Sequence, residues 1–136
     1  MVPAAGPGRA AGPVSGPGPF AEVRDRQPRL TAVIATLGMP EDAEFLDRAE
    51  QYPRVHLDTT MAFTDFSEQR MPFPPALRPR LLDLSDRVVL GSDFPNTPYV
   101  YAHQIEALAR LDLGDDWLRA VFHDNAVRLL HLDQSA

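Results

Sequence analysis

The sequence predicts an α/β protein with three parallel strands and flanking helices. Three short apolar runs, rich in β-branched residues, recur about 25 to 32 residues apart, and segments with helical spacing of their apolar side chains separate them. The last run, Val88 to Leu90, meets Gly91 and then Asp93, which is typical of a buried parallel strand that ends at a site. This alternation predicts βαβ units with right-handed crossovers and ligands at the carboxyl ends of the strands.

The predicted elements follow one another along the chain. The strands are expected at residues 30–35, 55–59 and 88–90. The first four helices are expected at 20–26, 40–51, 76–85 and 99–111. A fifth helix should begin at 115 and end at a break at 123–125, and a last short helix should cover 126–132. A long loop at 61–75 carries three phenylalanines and three prolines. Expected core residues of two helices are Leu77, Leu81, Leu82 and Leu84, and Ile105, Leu108 and Ala109.

Residues 1–19 differ in composition from the remainder. Alanine, glycine and proline dominate, and only Met1, Val2 and Val14 have larger apolar side chains. Such a segment buries too little apolar surface to offset its ordering entropy, so we expect a disordered leader followed by one globular domain at 20–136. Two origins are open: a flexible leader, or GC-rich DNA read from a wrong start or in a shifted frame.

Composition excludes several classes of protein. The chain has no cysteine, which rules out disulfides and thiolate metal sites, and its net charge of -6 argues against nucleic acid or an anionic membrane as a partner. Its apolar runs are shorter than the roughly 20 residues that a membrane span needs, and the first residues lack the apolar stretch of a signal peptide. We therefore expect a soluble cytoplasmic protein.

Acidic and imidazole side chains near the strand ends are candidate site residues. Asp93 follows the third strand; the structural alternative is that its carboxylate only caps the turn or the next helix. His56 and Asp58 alternate with Val55 and Leu57, so their side chains lie on the same face of the second strand. That face lines a site if it points into a barrel, whereas a hydrogen-bonded pair or a solvated edge is the alternative.

The remaining histidines are interpreted as structural. We expect His103 on the surface of a helix, and His131 in solvent near the end of the chain. His123 precedes a helix for which Asp124 and Asn125 are the N-cap candidates.

The phenylalanines of the long loop have two interpretations. Phe63, Phe66 and Phe73 form a lid or line a substrate pocket if a full barrel is present, but expose apolar surface to a partner if the chain is isolated. Trp117 and Phe122 fit core packing. The sequence contains no Ser-His-Asp arrangement, phosphate loop or dinucleotide fingerprint.

Four stretches resemble a known family. They are Leu30 to Glu41, Val55 to Thr59, Leu90 to Pro95 with its Gly-Ser-Asp-Phe-Pro motif, and His123 to Leu130 with its Asn-Ala-x-Arg-Leu motif. Together they resemble the C-terminal portion of the metal-dependent amidohydrolase-related proteins, which are (β/α)8-barrel hydrolases and decarboxylases. The resemblance covers about residues 20–132. It implies a partial TIM barrel made of strands six to eight.

The resemblance implies a role for Asp93 but leaves its partners missing. Asp93 matches the family aspartate that ligates the divalent metal, zinc or manganese, or takes a proton from its bound water. The family usually has a histidine at the end of strand six, where this chain has Thr36. The His-x-His of strand one and the histidine of strand five have no counterpart. Because a catalytic divalent ion needs about three protein ligands, we expect that this chain alone does not hold one stably.

Two functional hypotheses follow. The first is a C-terminal fragment of an amidohydrolase-type hydrolase or decarboxylase of a small molecule, inactive alone, in which Asp93 is catalytic and Asp58, His56 and Thr36 line the substrate pocket. The second is a non-catalytic assembly module that pairs through open sheet edges, with itself or with a polypeptide that carries the missing strands. The missing strands also favour the shifted-frame origin of residues 1–19.

Overall fold

The computed structural model describes residues 16–132. The expected disordered leader therefore lies outside the described residues except at its end, where Pro17 begins helix α1 (Pro17–Arg26). Helix α1 starts before the predicted position at Phe20. Proline is favoured in the first turn of a helix, because its fixed φ is helical and its missing N–H would have no partner there.

The three strands form one parallel sheet in the order β1-β2-β3. Strand β1 is Ala32–Ile34, β2 is Val55–Asp58 and β3 is Val88–Val89. Val33 lies beside His56 across the first pair, and Asp58 lies beside Val89 across the second. The predicted α/β class with three parallel strands is confirmed.

Helices flank and connect the strands. After α1 they are α2 (Asp42–Gln51), α3 (Asp65–Glu68), α4 (Arg78–Asp83), α5 (Tyr101–Ala109), α6 (Asp115–Arg119) and α7 (Asn125–Leu129). Two 3-10 turns, Ala35–Gly38 and Pro75–Leu77, and a π-helical turn, Ala120–Asp124, accompany them. None of the helices between residues 16 and 132 is both long enough and apolar enough to cross a membrane.

The hydrophobic core lies on one face of the sheet. Val55, Leu57 and Val88 point to that face and are fully buried. The helices contribute the rest of this core, including Leu46, Leu81, Leu108, Trp117 and Val121. Removing this apolar surface from water is the main stabilising term of the fold.

The opposite face of the sheet is more open. Val33 on this face is 45% exposed although it lies in a strand. His56 and Asp58, which share the face, are only partly buried. In a closed barrel the facing wall covers this side of the strands, so the open face corresponds to the interior of a partial barrel.

The aromatic loop between β2 and α4 is part of the core. Phe73 is fully buried, Phe63 is nearly so, and their rings meet edge to face with centroids 5.0 Å apart. Phe66 is partly buried, and the Arg70 guanidinium lies 3.9 Å from its ring centroid. The interpretation of this loop as an exposed apolar surface is therefore wrong for Phe63 and Phe73. The interpretation as a lid or a pocket wall applies to a full barrel and stays a prediction.

Two predicted core positions on the helices are wrong. Leu82 is 46% exposed, whereas Leu81 and Leu84 are buried. Ala109 is exposed, whereas Leu108 is buried. Each exposed residue lies next to a buried one in the sequence. Because neighbouring residues point about 100° apart around a helix, Leu82 and Ala109 lie outside the buried stripe to which Leu81 and Leu108 belong.

The C-terminal helices run on without the predicted break at 123–125. The π-helical turn joins α6 directly to α7, and neither Asp124 nor Asn125 forms a side-chain N-cap. Asn125 is instead 2% exposed and donates from Nδ2 to the carbonyl oxygens of Ser85 (2.6 Å) and Val88 (2.7 Å). The asparagine of the Asn-Ala-x-Arg-Leu motif thus ties α7 to β3.

Candidate active site

Asp58 is the centre of a hydrogen-bonded cluster at the carboxyl end of β2. Its Oδ1 accepts from the backbone N–H groups of Thr36 and Thr60, each at 2.9 Å. The pleat of β2 directs Asp58 to the open face because Leu57 points into the core. Thr36 and Asp58, both predicted as pocket residues, are therefore brought together.

Thr36 takes part through its backbone in an unusual conformation. Its φ and ψ are 55° and 39°, and those of Leu37 are 53° and 18°, so two residues with side chains lie in the left-handed region. Such conformations persist only where the surroundings hold them. The hydrogen bond to Asp58 and the complete burial of Leu37 supply that support.

Gly91 brings the end of β3 against this cluster. Its N–H donates to Thr59 Oγ1 (3.1 Å), and the same hydroxyl donates to its carbonyl oxygen (3.2 Å). A Cβ at Gly91 would lie 3.1 Å from Asp58 Cγ and far inside contact distance of Thr60 Oγ1. A residue without a side chain is thus needed for this close approach.

Asp93 lies two residues beyond Gly91, in an exposed turn. Its φ is 60°, and its carbonyl oxygen accepts from Asn96 N–H at 2.8 Å. Val100, and not Asp93, is the N-cap residue of α5, so Asp93 does not cap that helix. Its carboxylate is accessible at the carboxyl edge of the sheet.

His56 lies one pleat earlier than Asp58 on the same face. Its Nδ1 is buried and makes no hydrogen bond within the described part of the chain. Burial lowers the pKa of His56, and the nearby positive charge of Arg87 lowers it further. Asp58 is hydrogen-bonded to backbone amides and not to His56, so the predicted hydrogen-bonded pair does not form.

The other histidines lie away from this cluster. His103, which was predicted on the surface of a helix, is partly exposed on α5 and accepts from Asp65 N–H through Nε2 at 3.2 Å. His123 contacts Asp124 at 2.8 Å, and this hydrogen bond lowers the pKa of the Asp124 carboxyl. His131 is exposed, as predicted.

Gln104 is a polar residue of this region that the sequence analysis missed. It is fully buried on α5 and donates from Nε2 to the carbonyl oxygens of Thr59 (3.2 Å) and Ala62 (3.1 Å). A sequence signal existed, because Gln104 lies three and four residues before the buried Ala107 and Leu108. A glutamine on the apolar stripe of a helix indicates a buried polar contact.

The residues between 16 and 132 do not fit a divalent metal ion by themselves. No group of three or more His, Asp or Glu side chains there is close enough to hold one. Asp58 Oδ1 is already engaged by two amides, and Asp93 offers one carboxylate. A catalytic divalent ion needs about three protein ligands with an open position for water.

Comparison with a family model identifies the class of protein. The model described as amidohydrolase matches residues 5–132, which is most of the chain. The chain therefore belongs to the amidohydrolase family, whose members act on small molecules and are generally metal-dependent. The predicted resemblance is confirmed, although the match begins at residue 5 and so includes most of the segment expected as a leader.

A solved structure supports the barrel architecture. An uncharacterized TIM-barrel protein from Bordetella bronchiseptica superposes with a TM-score of 0.69 at 23% sequence identity. The superposition covers 85% of this chain and 39% of the other, so the chain spans about two-fifths of that barrel protein's length. None of the curated proteins compared with the chain matches it.

Proposed function

We propose that the chain forms the carboxyl-terminal wall of the active site of an amidohydrolase-type hydrolase or decarboxylase. Asp93 is the carboxylate that serves the reacting centre, and Asp58, His56 and Thr36 line the pocket. The observation that carries the proposal is the approach of Gly91 to Asp58, because it places the Asp93 loop beside a polar cluster at the carboxyl edge of three parallel strands. Active sites of (β/α)8 barrels lie at this edge.

This wall is one part of a site. Its described residues contain no group of three or more His, Asp or Glu side chains that could hold a metal ion, and the open face of its sheet corresponds to the interior of a barrel. We infer that the remaining ligands come from strands outside these three units and that the chain alone does not turn over substrate. The substrate is a small molecule, in keeping with the family.

Manganese binding tests the position of the site. Mn²⁺ added to the isotope-labelled chain broadens NMR signals of residues close to the ion. We expect signals of Asp58 and Asp93 to broaden first, at Mn²⁺ concentrations in the millimolar range, because two carboxylates without a third ligand bind weakly. After dialysis, the metal content measured by mass spectrometry should fall well below one ion per chain.

Asp112 provides a matched control. Like Asp93, it is an exposed aspartate with a positive φ, 55° against 60°. Asp93→Asn should abolish the selective broadening, and Asp112→Asn should leave it unchanged, while both variants tolerate the backbone conformation. Broadening spread evenly over the acidic surface would refute the proposed position of the site. Tight binding of one ion per chain would refute the claim that the chain alone lacks metal ligands.

The edge of β1 supports a second candidate function, a non-catalytic assembly module. In the described sheet β1 and β3 are the edge strands, but the outer side of β3 is already hydrogen-bonded, because Asn125 Nδ2 donates to the Val88 carbonyl oxygen and Leu90 N–H donates to that of Val121. In β1, Val33 exposes apolar surface on the open face. An unprotected edge of this kind favours pairing with another strand. We propose that the purified protein self-associates through the edge of β1 and the open face beside it.

Sedimentation velocity separates this candidate from the first. Val33→Glu should shift a self-associating chain towards monomer, because a charge on the face opposes pairing. Val23 in α1 is similarly exposed, at 48% against 45% for Val33, and Val23→Glu should have no effect. A wild-type chain that is monomeric at all concentrations would contradict the assembly function and leave the first proposal intact.

A further inference from the structure

We infer that Thr59 and Gln104 are positioning residues that fix the Asp93 loop relative to Asp58. The inference rests on the proposed function, because it assigns these two residues to the geometry of that site. Neither side chain faces solvent: both are fully buried beneath the carboxyl edge of the sheet. They act through backbone groups of the loop that follows Asp58 and of the loop that carries Asp93.

Thr59 joins the end of β2 to the end of β3. Its N–H continues the strand pairing by donating to the carbonyl oxygen of Val89 at 3.1 Å. Its hydroxyl then both accepts from Gly91 N–H (3.1 Å) and donates to the Gly91 carbonyl (3.2 Å). A hydroxyl has one donor and two acceptor positions, so a single threonine satisfies both backbone groups where regular pairing stops.

Gln104 holds Thr59 from the side of the helices. Its Nε2 donates to the carbonyl oxygens of Thr59 and Ala62, which fixes the loop that leaves β2 against α5. If the amide were removed, the Thr59 carbonyl would keep its bond from Ala62 N–H (2.9 Å), but the Ala62 carbonyl would lose its donor, and an unsatisfied buried acceptor is costly. The loop therefore has one favourable position relative to α5.

The contacts form a continuous path from α5 to the candidate carboxylates. Gln104 holds Thr59, Thr59 holds Gly91, and Asp93 follows Gly91 by two residues. On the other side, Thr60 N–H donates to Asp58 Oδ1 immediately after Thr59. Because Gly91 packs directly on Thr60 and Asp58, a shift of either loop would break hydrogen bonds or cause a clash.

Thr64 shows that this arrangement is specific to Thr59. Thr64 lies in the same loop and is also fully buried. Its hydroxyl donates to Met61 O (2.7 Å) and accepts from Ser67 N–H (3.3 Å), so both partners lie within three residues. Thr64 stabilises its own loop and makes no hydrogen bond to Gly91. Its side chain lies beside the Tyr99 hydroxyl, six residues beyond Asp93, and so does not fix the backbone next to Asp93.

NMR of the full chain tests the inference without a metal or a substrate. Thr59→Val keeps the shape of the side chain and removes its hydroxyl, while Thr59→Ser keeps the hydroxyl. We expect amide hydrogen exchange of Gly91 to be faster by about fivefold or more in Thr59→Val, as for the loss of one hydrogen bond, and to return towards the wild-type rate in Thr59→Ser. Backbone order parameters of Ser92 and Asp93 should fall in Thr59→Val only.

Thr64→Val is the matched control. It removes the same hydroxyl from an equally buried threonine and should lower the urea midpoint without changing exchange at Gly91 or order at Asp93. A merely structural role for Thr59 would make the two valine variants alike, and that result would overturn the inference. Unchanged exchange at Gly91 in Thr59→Val would overturn it as well.

Gln104→Met gives an independent measurement in case Thr59→Val does not fold. Methionine has a similar length and no amide, so the Thr59 hydroxyl stays in place while its support from α5 is lost. We expect increased exchange at Ala62 and a lower order parameter at Asp93; wild-type values at both would contradict the role of Gln104. The Mn²⁺ experiment and these measurements use separate readouts, so failure of one proposal is distinguishable from failure of the other.

Discussion

At the scale of single residues, Asp58 is the hydrogen-bond acceptor that joins the end of β2 to the segment that follows β1. The alternation of β2 places its carboxylate on the open face, and that much follows from the sequence. Its partners are the backbone amides of Thr36 and Thr60. Backbone donors leave no signature in residue type, so this geometry could not be predicted from composition or spacing.

Gly91→Ala should destabilise the protein by about 1 to 3 kcal/mol, as is usual where an added methyl group overpacks a closed site. The new Cβ would lie 3.1 Å from Asp58 Cγ and would displace Thr60. Urea unfolding followed by circular dichroism measures the change. Gly18→Ala is the control, because no atom lies within 4 Å of a Cβ there and alanine favours the helix; equal effects of the two variants would refute the steric argument.

Asn125→Ala should cost about 2 to 4 kcal/mol of unfolding free energy, because it leaves two carbonyl oxygens of the β3 region without donors. The Arg128 guanidinium, which donates to Asn125 Oδ1, also loses its partner. Thermal and urea unfolding both report this loss. Asn96→Ala, at an exposed position, should stay within about 0.5 kcal/mol of wild type. A small effect at Asn125 would contradict the anchoring role.

At the scale of elements, the strands were predicted more accurately than the loops. All three strands lie within the predicted ranges because β-branched runs are a local signal. The loop at 61–75 was misinterpreted because its phenylalanines have no periodicity, and their burial depends on distant helices. The predicted break at 123–125 failed for a related reason: Asn125 finds its partners in the β3 region and not in its own helix.

Phe73→Ala should lower the unfolding free energy by about 3 to 5 kcal/mol, since it removes a fully buried aromatic ring and its edge-to-face contact with Phe63. Phe66→Ala should cost only about 1 kcal/mol, because that ring is partly exposed and lies against the Arg70 guanidinium and the Tyr99 ring. Urea midpoints of both variants measure the difference. Similar losses in the two variants would contradict the placement of Phe73 in the core.

At the scale of the whole molecule, stability should depend on the charge of His56. Burial lowers its pKa below the ordinary value of 6.5, so the unfolded chain binds a proton more readily than the folded one. The free energy of unfolding should therefore fall as the pH drops below 6.5 towards the lowered pKa. Urea unfolding at about pH 7.5 and about pH 5.5 measures this loss.

His56→Gln should reduce the pH dependence, because glutamine does not titrate in this range. Asp42 acts in the opposite direction: burial raises its pKa, so its contribution falls as the pH rises above 3.8. The free energy of unfolding is plotted against pH for the variant and for the wild type, and the difference between the two plots removes the effect of Asp42 and of the other histidines. The same pH dependence in both proteins would show that the burial of His56 does not affect its protonation.

The sequence by itself determined the class of the fold, the position of Asp93 after the third strand and the family. These features rest on residues that are close together in the chain, where spacing and composition carry the information. The tertiary structure alone decided that Thr59 bonds to Gly91, 32 residues away, and that Gln104 bonds to Thr59, 45 residues away. Such contacts depend on which buried groups meet when the elements pack, because most buried polar groups find a partner only in the folded chain.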